Sequence, residues 1–366
     1  MSETVLYRKY RPKSFDEVFG QDHIVGILKN AVKLKRVSHA YLFSGPRGTG
    51  KTSVARILAR EAGCEDVDLM EIDAASSRGI DEIRALREAV YFSPLQSPVK
   101  VYIIDEVHML TKEAFNALLK TLEEPPKHVI FILATTELEK VPETIISRCQ
   151  HFGFRKIPDN VLRDSIVSIA KKEGFGIDAE AAGVITVAAD GSFRDSQSVL
   201  DQILSVGDEN SDKKISGDEV RKFLAVPARE TVENFITAMI KKDADKGLEI
   251  IQKAVDENMD TKIFLKIILR YLRMILLVKA APQTRKQMER YYNKEEIDFA
   301  DKNKNSATVS ELGKMLKIFL DVFEIKQRSY LPQLPLELAF LKIINPILPD
   351  LDSNQDTGLQ RPMSYH

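Results

Sequence analysis

One segment of this sequence, Gly45 to Thr52, constrains the fold more than any other. It reads Gly-Pro-Arg-Gly-Thr-Gly-Lys-Thr and fits the pattern G-x-x-x-x-G-K-[ST] at every fixed position. The apolar run 40–43 before it predicts a buried strand, and the pattern of 54–60 after it predicts a helix. A glycine-rich loop in this context presents backbone N–H groups and a helix N-terminus to anionic oxygens. We therefore predict a phosphate-binding loop.

The residues of this loop have separate expected tasks. Lys51 is predicted to reach the β- and γ-phosphates of a nucleotide, and the Thr52 hydroxyl to hold Mg²⁺. The other positions predicted to line the phosphates follow from the same pattern and are Gly45, Pro46, Arg47, Gly48, Thr49, Gly50 and Ser53.

Short apolar runs alternate with helical patterns up to about residue 155. The predicted strands cover 40–44, 67–73, 101–105, 129–134 and 151–154. Such alternation is typical of a parallel sheet with helices on both faces. A helix is predicted over 112–123, where apolar residues recur at helical spacing until the pair Pro125-Pro126 stops the pattern.

Two acids end the third of these strands. Asp105 and Glu106 follow the apolar run 101–104, and ligands of parallel sheets bind at the carboxyl ends of strands. Asp105 is predicted to hold Mg²⁺, directly or through water, and Glu106 to orient and polarise the attacking water. Adjacent acids are common on protein surfaces, so this prediction depends on the phosphate-binding loop earlier in the chain.

Four further side chains are candidates for the same site. Thr135 and Thr136 end the next strand, where a hydroxyl could reach the γ-phosphate or the water; capping of the strand end is the alternative. Arg148 could serve a neighbouring subunit's nucleotide as an arginine finger. Arg194, at the start of a later helix, could report the state of the γ-phosphate, with a surface salt bridge as the alternative. His108, in contrast, is predicted to be a structural hydrogen-bonding residue.

From about residue 158 onward the pattern is helical only. The predicted organisation is a first domain at 1–157, a helical domain at 158–206, a surface linker at 207–216, a second helical domain at 217–348 and a disordered tail at 350–366.

The longest apolar stretch, 263–278, is interrupted by cations. Because Lys262, Lys266, Arg270 and Arg273 share one helical face, the stretch predicts an amphipathic helix rather than a membrane span. That cationic face is either solvated or directed towards DNA or a partner.

The composition narrows the range of functions. The chain has 366 residues and a formal net charge of −1, so any contact with DNA must come from local basic patches. Two cysteines, Cys64 and Cys149, allow neither a disulfide framework nor a Cys-x-x-Cys zinc pattern, which suits a reducing cytoplasm. Cys149 has no evident base beside it and is predicted to be buried rather than catalytic. The N-terminal residues lack the apolar core of a signal peptide.

Together these features resemble AAA+ ATPases of the clamp-loader clade, and among them the bacterial DNA polymerase III gamma/tau family. The resemblance implies an α/β P-loop AAA+ domain with a five-stranded parallel sheet and flanking helices. A small helical lid domain and a C-terminal all-helical collar domain for oligomerisation would follow. The segments that carry the resemblance are 6–18, 20–21, 73–81, 115–126, 134–136, 147–149, 194, 200–202 and, in the weakly matching collar, 332–339.

The resemblance also implies roles for individual residues. It places Tyr7, Arg11 and Val18 around the adenine of ATP. The threonine pair that ends the fourth strand matches the family's sensor 1 position, Arg148 matches its finger in trans, and Arg194 matches its sensor 2.

Two departures from the family pattern bear on these expectations. The family usually carries a four-cysteine zinc module between the first helix and the second strand, but here Cys64 is alone in that region. We therefore predict no zinc. The family's long form continues beyond the collar to bind polymerase and helicase, whereas this sequence ends at His366. It therefore resembles the short form or a truncated piece.

The function implied is that of an ATPase motor subunit of the DNA polymerase III clamp loader. Such a subunit uses ATP and Mg²⁺ to load a sliding clamp onto primed DNA within the holoenzyme of this DNA-directed DNA polymerase. The expected partners are the delta and delta-prime subunits, further gamma copies, the clamp and primed DNA. The expected setting is a hetero-oligomer in the cytoplasm, in the nucleoid-associated replisome, without membrane contact.

A direct contact with DNA is a separate expectation. Ser76, Arg78 and Gly79 precede a helix predicted at 81–90 and could meet phosphates through N–H groups and one guanidinium. An ordinary capped and solvated helix is the equal alternative.

Three other functions remain open. A helicase or branch-migration motor would share the loop and the Asp105-Glu106 pair, although helicase-specific motifs are not evident. A non-hydrolysing scaffold subunit of the same loader commonly loses the phosphate loop, which is intact here. An archaeal or eukaryotic clamp-loader small subunit is the third, but the segment Thr121–Pro126 favours the bacterial type.

Overall fold

A computed structural model of the chain describes residues 5–76, 80–207, 213–288, 292, 294–324, 331 and 333–345. The predicted DNA-contact residues Arg78 and Gly79, and the predicted tail at 350–366, lie outside the described residues. The chain divides into two compact units, Met1–Val220 and Arg221–His366. The first unit contains the phosphate-binding loop.

The first unit begins with alternating helices and strands, as predicted. In chain order they are α1 (Leu6–Lys9), α2 (Asp22–Lys33), β1 (Ala40–Ser44), α3 (Lys51–Glu61), β2 (Leu69–Asp73), α4 (Ile80–Val90), β3 (Lys100–Asp105), α5 (Lys112–Glu123), β4 (Val129–Thr135), α6 (Glu143–Ile146) and β5 (Gln150–Gly153). Short 3₁₀ turns lie at Phe15–Glu17, Val107–Met109 and Leu138–Lys140. The helix predicted at 112–123 has the bounds of α5, whose first turn is capped by the Thr111 hydroxyl.

The five strands form one parallel sheet in the order β2-β3-β4-β1-β5. This confirms the predicted fold class. Because a helix returns the chain between successive strands, all the strands end at the same edge. The register places Ser44 beside Thr135 and Asp73 beside Asp105. Side chains from separate parts of the sequence therefore meet at this edge.

Alternate residues of the inner strands β1, β3 and β4 enter two separate apolar cores. On one face of the sheet, Tyr41 and Phe43 of β1 pack in the same core as Leu58 of α3. On the other face, Leu42 packs in the same core as Leu118 of α5. Each of these side chains is fully buried, and burial of one such side chain contributes about 1.5–3 kcal/mol. Burial on both faces explains the unbroken apolar runs in the sequence.

Helices and one small sheet complete the first unit. Their order is α7 (Asp159–Lys172), β6 (Gly176–Ile177), α8 (Ala179–Ala189), α9 (Phe193–Gly207), β7 (Lys214–Ile215) and α10 (Gly217–Phe223), whose residues from Arg221 onward belong to the second unit. The prediction of helices alone for 158–206 is wrong at β6, which pairs in parallel with β7 in the predicted linker. A left-handed Gly174 (φ 86°) turns the chain after α7. Two-residue strands are too short to show a period in the sequence.

The second unit is helical throughout its described part, as predicted. The remaining helices are α11 (Arg229–Lys241), α12 (Ala244–Asp256), α13 (Thr261–Ala280), α14 (Arg285–Met288), α15 (Lys294–Asn303), α16 (Val309–Glu324) and α17 (Leu334–Ile344), with a 3₁₀ turn at Pro282–Thr284. They share one apolar core. Within it, a Cβ added at Gly247 of α12 would lie 1.8 Å from the Phe340 ring of α17, so these two helices approach closely.

The cations of α13 do not form one uniform face. The Arg270 guanidinium lies 4.5 Å from the ring centroid of Tyr292 and 3.5 Å from the Glu296 carboxylate. Arg273 donates to the Tyr292 hydroxyl at 2.9 Å. The sequence left two expectations for this cationic face, solvation or contact with DNA or a partner. Arg270 meets neither, because it contacts Tyr292 and Glu296 within its own unit. None of the described helices meets the length and hydropathy required of a membrane-spanning segment.

Candidate functional site

The phosphate-binding loop follows β1 and turns into α3. Its glycines have left-handed backbones, with φ of 135° at Gly45, 73° at Gly48 and 101° at Gly50, a region that other residues enter at a cost. A Cβ at Gly45 would lie 2.3 Å from the Phe154 carbonyl oxygen, and one at Gly48 would lie 1.9 Å from the Ser192 Oγ. Gly45 and Gly48 are therefore needed both for the turn and for close packing around it, whereas Gly50 is needed for the turn alone.

Lys51 is the buried cation of the site. Its Nζ donates to the carbonyl oxygens of Gly45 and Pro46 at 2.8 and 3.0 Å, which holds the side chain along the inside of the loop. Burial lowers the pKa of the Lys51 ammonium, whereas the nearby Glu106 and Asp105 carboxylates act in the opposite direction. An incoming phosphate oxygen would replace these carbonyls as the partner of a charge that is already desolvated.

The predicted metal ligands lie side by side. The Thr52 hydroxyl donates to Asp105 Oδ2 at 2.7 Å, and Asp105 Oδ1 accepts the N–H of Glu106 at 2.9 Å. A hydroxyl and a carboxylate are hard oxygen donors of the kind Mg²⁺ prefers. The described residues contain no group of three or more His, Cys, Asp or Glu side chains that could hold a metal on their own. The donors therefore suit an ion whose other ligands are water and substrate phosphate.

Glu106 and the threonine pair meet next to this position. Glu106 has a left-handed backbone (φ 48°), a conformation that costs roughly 1–3 kcal/mol in a residue other than glycine and is typical of functional sites. Its Oε2 accepts a hydrogen bond from the Thr136 hydroxyl, with 2.9 Å between the two oxygen atoms. Thr135 is fully buried, and its Oγ1 lies 3.0 Å from His108 Nδ1. The structure thus brings together the acid and the hydroxyls that the sequence proposed separately.

The start of α9 closes over the loop. The Phe193 N–H donates to the Gly48 carbonyl oxygen at 3.0 Å, and the Arg194 guanidinium lies 5.1 Å from the centroid of the Tyr7 ring. Burial, with a smaller effect of neighbouring cations that include Arg194, lowers the pKa of Arg11. Arg194, whose Cβ would lie 3.3 Å from a Cβ at Gly48, and Lys51 provide a positive potential at the loop that suits a polyphosphate.

The remaining sequence candidates have other surroundings. Val18 is half-buried and packs against the core beneath β1. Arg148 donates to the Thr144 carbonyl oxygen at 2.7 Å and pairs with the Glu123 carboxylate, so its partners lie outside the loop. Cys149 is half-buried and not fully buried as predicted. Burial nevertheless raises the pKa of its thiol to about 12, which does not favour a thiolate nucleophile.

Gln21 is a residue of this region to which the sequence assigned no role. It is fully buried. Its Nε2 donates to the Arg155 carbonyl oxygen at 2.7 Å and to that of Thr49 at 3.5 Å, and its Oε1 accepts the Arg155 N–H at 3.3 Å. Gln21 therefore connects the loop to the segment that enters α7. Its partners lie 28 and 134 positions away, so no local pattern could have revealed them.

Comparison with known protein families gives three matches along the chain. The family model described as DNA polymerase III, delta subunit, matches residues 20–78 and 66–158. The model described as DNA polymerase III clamp loader subunit, ATPase lid domain, matches 162–209. The model of DNA polymerase III subunits gamma and tau domain III matches 215–353.

Curated relatives carry names from the same complex. A DNA polymerase III subunit gamma of Buchnera aphidicola subsp. Schizaphis graminum is 34% identical over 337 residues, which cover 86% of this chain and 92% of that protein. A DNA polymerase III subunit tau of Bacillus subtilis is 41% identical over 303 residues, which cover 77% of this chain and 53% of that protein. The chain thus spans about half the length of the first curated relatives that it matches.

A solved structure supports the fold alone. The Thermotoga maritima RuvB Holliday junction branch migration motor superposes with a TM-score of 0.51 at 22% identity, covering 63% of this chain and 79% of that one. At this identity the likeness concerns the arrangement of helices and strands and not the activity.

Proposed function

This chain belongs to the DNA polymerase III gamma/tau family of clamp-loader subunits, and we propose from that premise that it is an ATP-hydrolysing motor subunit of a clamp loader. The observation that carries the proposal is the 2.7 Å contact between the Thr52 hydroxyl and the Asp105 carboxylate. This contact supports a metal-binding site beside the phosphate-binding loop. AAA+ membership implies ATP as substrate and Mg²⁺ as cofactor.

The residues of the site would divide the work as follows. Backbone N–H groups of the loop and the Lys51 ammonium hold the β- and γ-phosphates of ATP. Thr52 and Asp105 hold Mg²⁺, which neutralises charge that develops on the phosphate oxygens. Glu106 accepts a proton from the attacking water, and its carboxylate is aligned by the Thr136 hydroxyl. Thr135 supplies a second hydroxyl at the same strand end.

The positions of Tyr7 and Arg194 support their proposed roles in binding adenine and in sensing the γ-phosphate. Tyr7 contacts Arg194, and α9, on which Arg194 lies, is hydrogen-bonded to the loop at Gly48. ATP held at the loop would therefore bias the position of α9. Arg11 and Val18 belong to the same N-terminal segment and complete the proposed adenine site.

Arg148 is proposed to act on ATP bound by a neighbouring subunit. Its partners in this chain, Glu123 and Thr144, lie outside the loop site, which is compatible with a role in another subunit's site. The ring would contain further copies of this chain with the delta and delta-prime subunits, held together by the helical domain at 217–348. ATP binding would permit opening of a sliding clamp, and hydrolysis on primed DNA would release it closed.

The assembly would act in the replisome at the nucleoid, within the cytoplasm and as part of the DNA polymerase III holoenzyme. The proposed domain bounds are those of the sequence analysis, 1–157, 158–206 and 217–348. We keep the prediction that the chain binds no zinc. Metal analysis of the purified protein tests this, and stoichiometric zinc would overturn it.

The experiment that tests the function is a steady-state ATPase assay with the cognate loader subunits. Turnover is measured with and without clamp and primed DNA, for the wild type and for Arg148→Ala. Strong stimulation by clamp and primed DNA, abolished by Arg148→Ala, is the expected result. Robust turnover of the isolated chain at high dilution, insensitive to this substitution, would count against the assignment.

The alternative of a helicase or branch-migration motor is not favoured. The likeness to the RuvB motor lies at 22% identity, whereas relatives at 34–41% identity are DNA polymerase III subunits. Stimulation of the ATPase by DNA alone, indifferent to the clamp and accompanied by strand unwinding, would nevertheless support the helicase function.

A further inference from the structure

His108 has contacts that the prediction of a structural hydrogen-bonding residue does not explain. It lies on the 3₁₀ turn Val107–Met109 immediately after Glu106, and its side chain is only 5% exposed. Both ring nitrogens face polar groups. Nδ1 lies 3.0 Å from Thr135 Oγ1 and 3.5 Å from Glu106 Oε2, and Nε2 lies 3.3 Å from Glu137 Oε1. A buried imidazole thus stands between two carboxylates and a buried hydroxyl.

The chemistry of these partners decides which nitrogen donates. Both nitrogens face a carboxylate, which can only accept, but Nδ1 also has the Thr135 hydroxyl, which can donate to it. We therefore assign the ring proton to Nε2, which points to Glu137. In the neutral ring Nδ1 is then an acceptor, and the Thr135 hydroxyl donates to it. Thr135 Oγ1 also accepts the backbone N–H of Glu137 at 3.0 Å. The Thr135 hydroxyl is therefore held in one orientation from two sides.

The same ring also bears on the acid of the site. Glu106 Oε2 accepts from Thr136, so Glu106, His108 and the two threonines form one continuous group that joins the end of β3 to the end of β4. We propose that His108 is a positioning residue for hydrolysis: its Nδ1 fixes the Thr135 hydroxyl, and the ring, 3.5 Å from Glu106 Oε2, blocks that carboxylate from turning away from Thr136. This inference rests on the proposed function, in which this site hydrolyses ATP.

Two substitutions separate the contacts of the two ring nitrogens. An asparagine amide occupies nearly the position of Nδ1, so His108→Asn retains a polar group for Thr135 and Glu106. A glutamine amide reaches the position of Nε2, so His108→Gln retains only the contact with Glu137. If the ring merely fills space, the larger glutamine is the better replacement. If it positions Thr135 and Glu106, the smaller asparagine is better.

The experiment compares kcat, KM for ATP and the equilibrium ATP affinity of the wild type, His108→Asn, His108→Gln and His108→Leu. All are measured in the full chain assembled with its cognate loader subunits, clamp and primed DNA. The expected result is a kcat within about threefold of the wild type for His108→Asn. For His108→Gln and His108→Leu we expect kcat to fall by about tenfold. This is less than the roughly 10²–10⁴-fold that a general base itself contributes. KM and ATP affinity should change little in all three.

A matched control is His128→Asn. His128 is a half-buried histidine whose Nε2 donates one hydrogen bond to the Val90 carbonyl oxygen at 3.2 Å, away from the loop. Its kcat is expected to equal that of the wild type. Thermal unfolding of each variant, together with retained ATP affinity, shows which variants are folded. If His108→Leu does not fold, the comparison of His108→Asn with His108→Gln still decides.

The outcomes separate this inference from the function on which it rests. A wild type that binds ATP but does not hydrolyse it in the assembled complex overturns both. An active wild type whose kcat is shared by all three His108 variants overturns only the positioning role. So does a kcat of His108→Gln equal to or above that of His108→Asn.

Discussion

The Thr136 hydroxyl donates a 2.9 Å hydrogen bond to the carboxylate of Glu106. The two residues lie at the ends of neighbouring strands, β4 and β3, and 30 positions apart in the sequence. The contact orients the acid proposed to activate water, and the left-handed backbone of Glu106 directs the following turn back towards the same edge of the sheet. The neighbouring pair Thr52 and Asp105 is the proposed place for the metal.

Glu106→Gln should separate ATP binding from hydrolysis. The substitution keeps the size of the side chain but removes its ability to accept a proton, so kcat should fall by roughly 10²–10⁴-fold while ATP affinity is retained. Steady-state turnover and equilibrium binding of a fluorescent ATP analogue measure the two effects. Loss of binding together with turnover would instead indicate that Glu106 holds the nucleotide or its metal.

Thr52→Ala should weaken Mg²⁺-dependent turnover by about tenfold to a hundredfold, because it removes a proposed metal ligand, and loss of even an outer-shell partner of a metal typically costs about 10–100-fold in affinity or activity. Thr52→Ser is the matched control, since it retains the hydroxyl, and it should stay within severalfold of the wild type. Titration of turnover with Mg²⁺ should show a higher half-saturating concentration for Thr52→Ala. Equal behaviour of the two variants would argue against a metal ligand at this position.

Mixing two inactive variants tests whether Arg148 acts on ATP bound by its own subunit or by a neighbouring subunit. Lys51→Ala lacks the cation of the loop, and Arg148→Ala lacks the finger, whose contribution is about 10³–10⁵-fold in rate. In a mixed ring, some interfaces combine the intact loop of one variant with the intact arginine of the other. Turnover should therefore reappear when the two proteins are co-assembled. A mixture that remains inactive, although gel filtration shows co-assembly, would place the arginine in cis.

Gly247→Ala should destabilise the second unit. The new methyl group would lie 1.8 Å from the Phe340 ring, and overpacking of this kind costs typically 1–3 kcal/mol. Gly313→Ala, within α16, is the matched control: no atom lies within 4 Å of its added Cβ, so the better helix propensity of alanine should raise stability by up to about 1 kcal/mol. Thermal or urea unfolding measures both, and equal effects would contradict the close approach of α12 and α17.

Asp68 should make the stability of the first unit depend on pH in the acid range. Its carboxylate accepts the N–H groups of Leu95, Gln96 and Ser97 at 2.7, 2.9 and 2.9 Å. These bonds, that from Leu95 foremost, hold the pKa of Asp68 well below its usual range. A depressed folded-state pKa adds stability that is complete above the unfolded value of about 3.9 and is lost as pH falls below it.

The measurement is thermal unfolding of the wild type and Asp68→Asn between pH 7 and pH 3. The wild type should be the more stable protein at neutral pH, and its advantage should shrink as the pH falls below about 4. An advantage that is independent of pH would show that the carboxylate charge is not the cause.

Much of the candidate site, at the ends of β1, β3 and β4, could be predicted from the sequence because its signals are local. The glycine pattern, the two acids after an apolar run and the hydroxyls at a strand end each lie within a few residues. Strands buried on both faces produce unbroken apolar runs, which is why their positions could be predicted. The short pair of strands β6 and β7 could not, since each has only two residues and its partner lies far along the chain.

What the sequence by itself determined is therefore the phosphate-binding loop, the parallel sheet around it and the identity of the candidate catalytic residues. Only the tertiary structure decided how they are held: Gln21 against Thr49 and Arg155, and His108 between Thr135, Glu106 and Glu137. The physical reason is that a buried polar side chain must find its partners wherever the packed fold supplies them. Those partners are set by the strand order and not by distance along the chain.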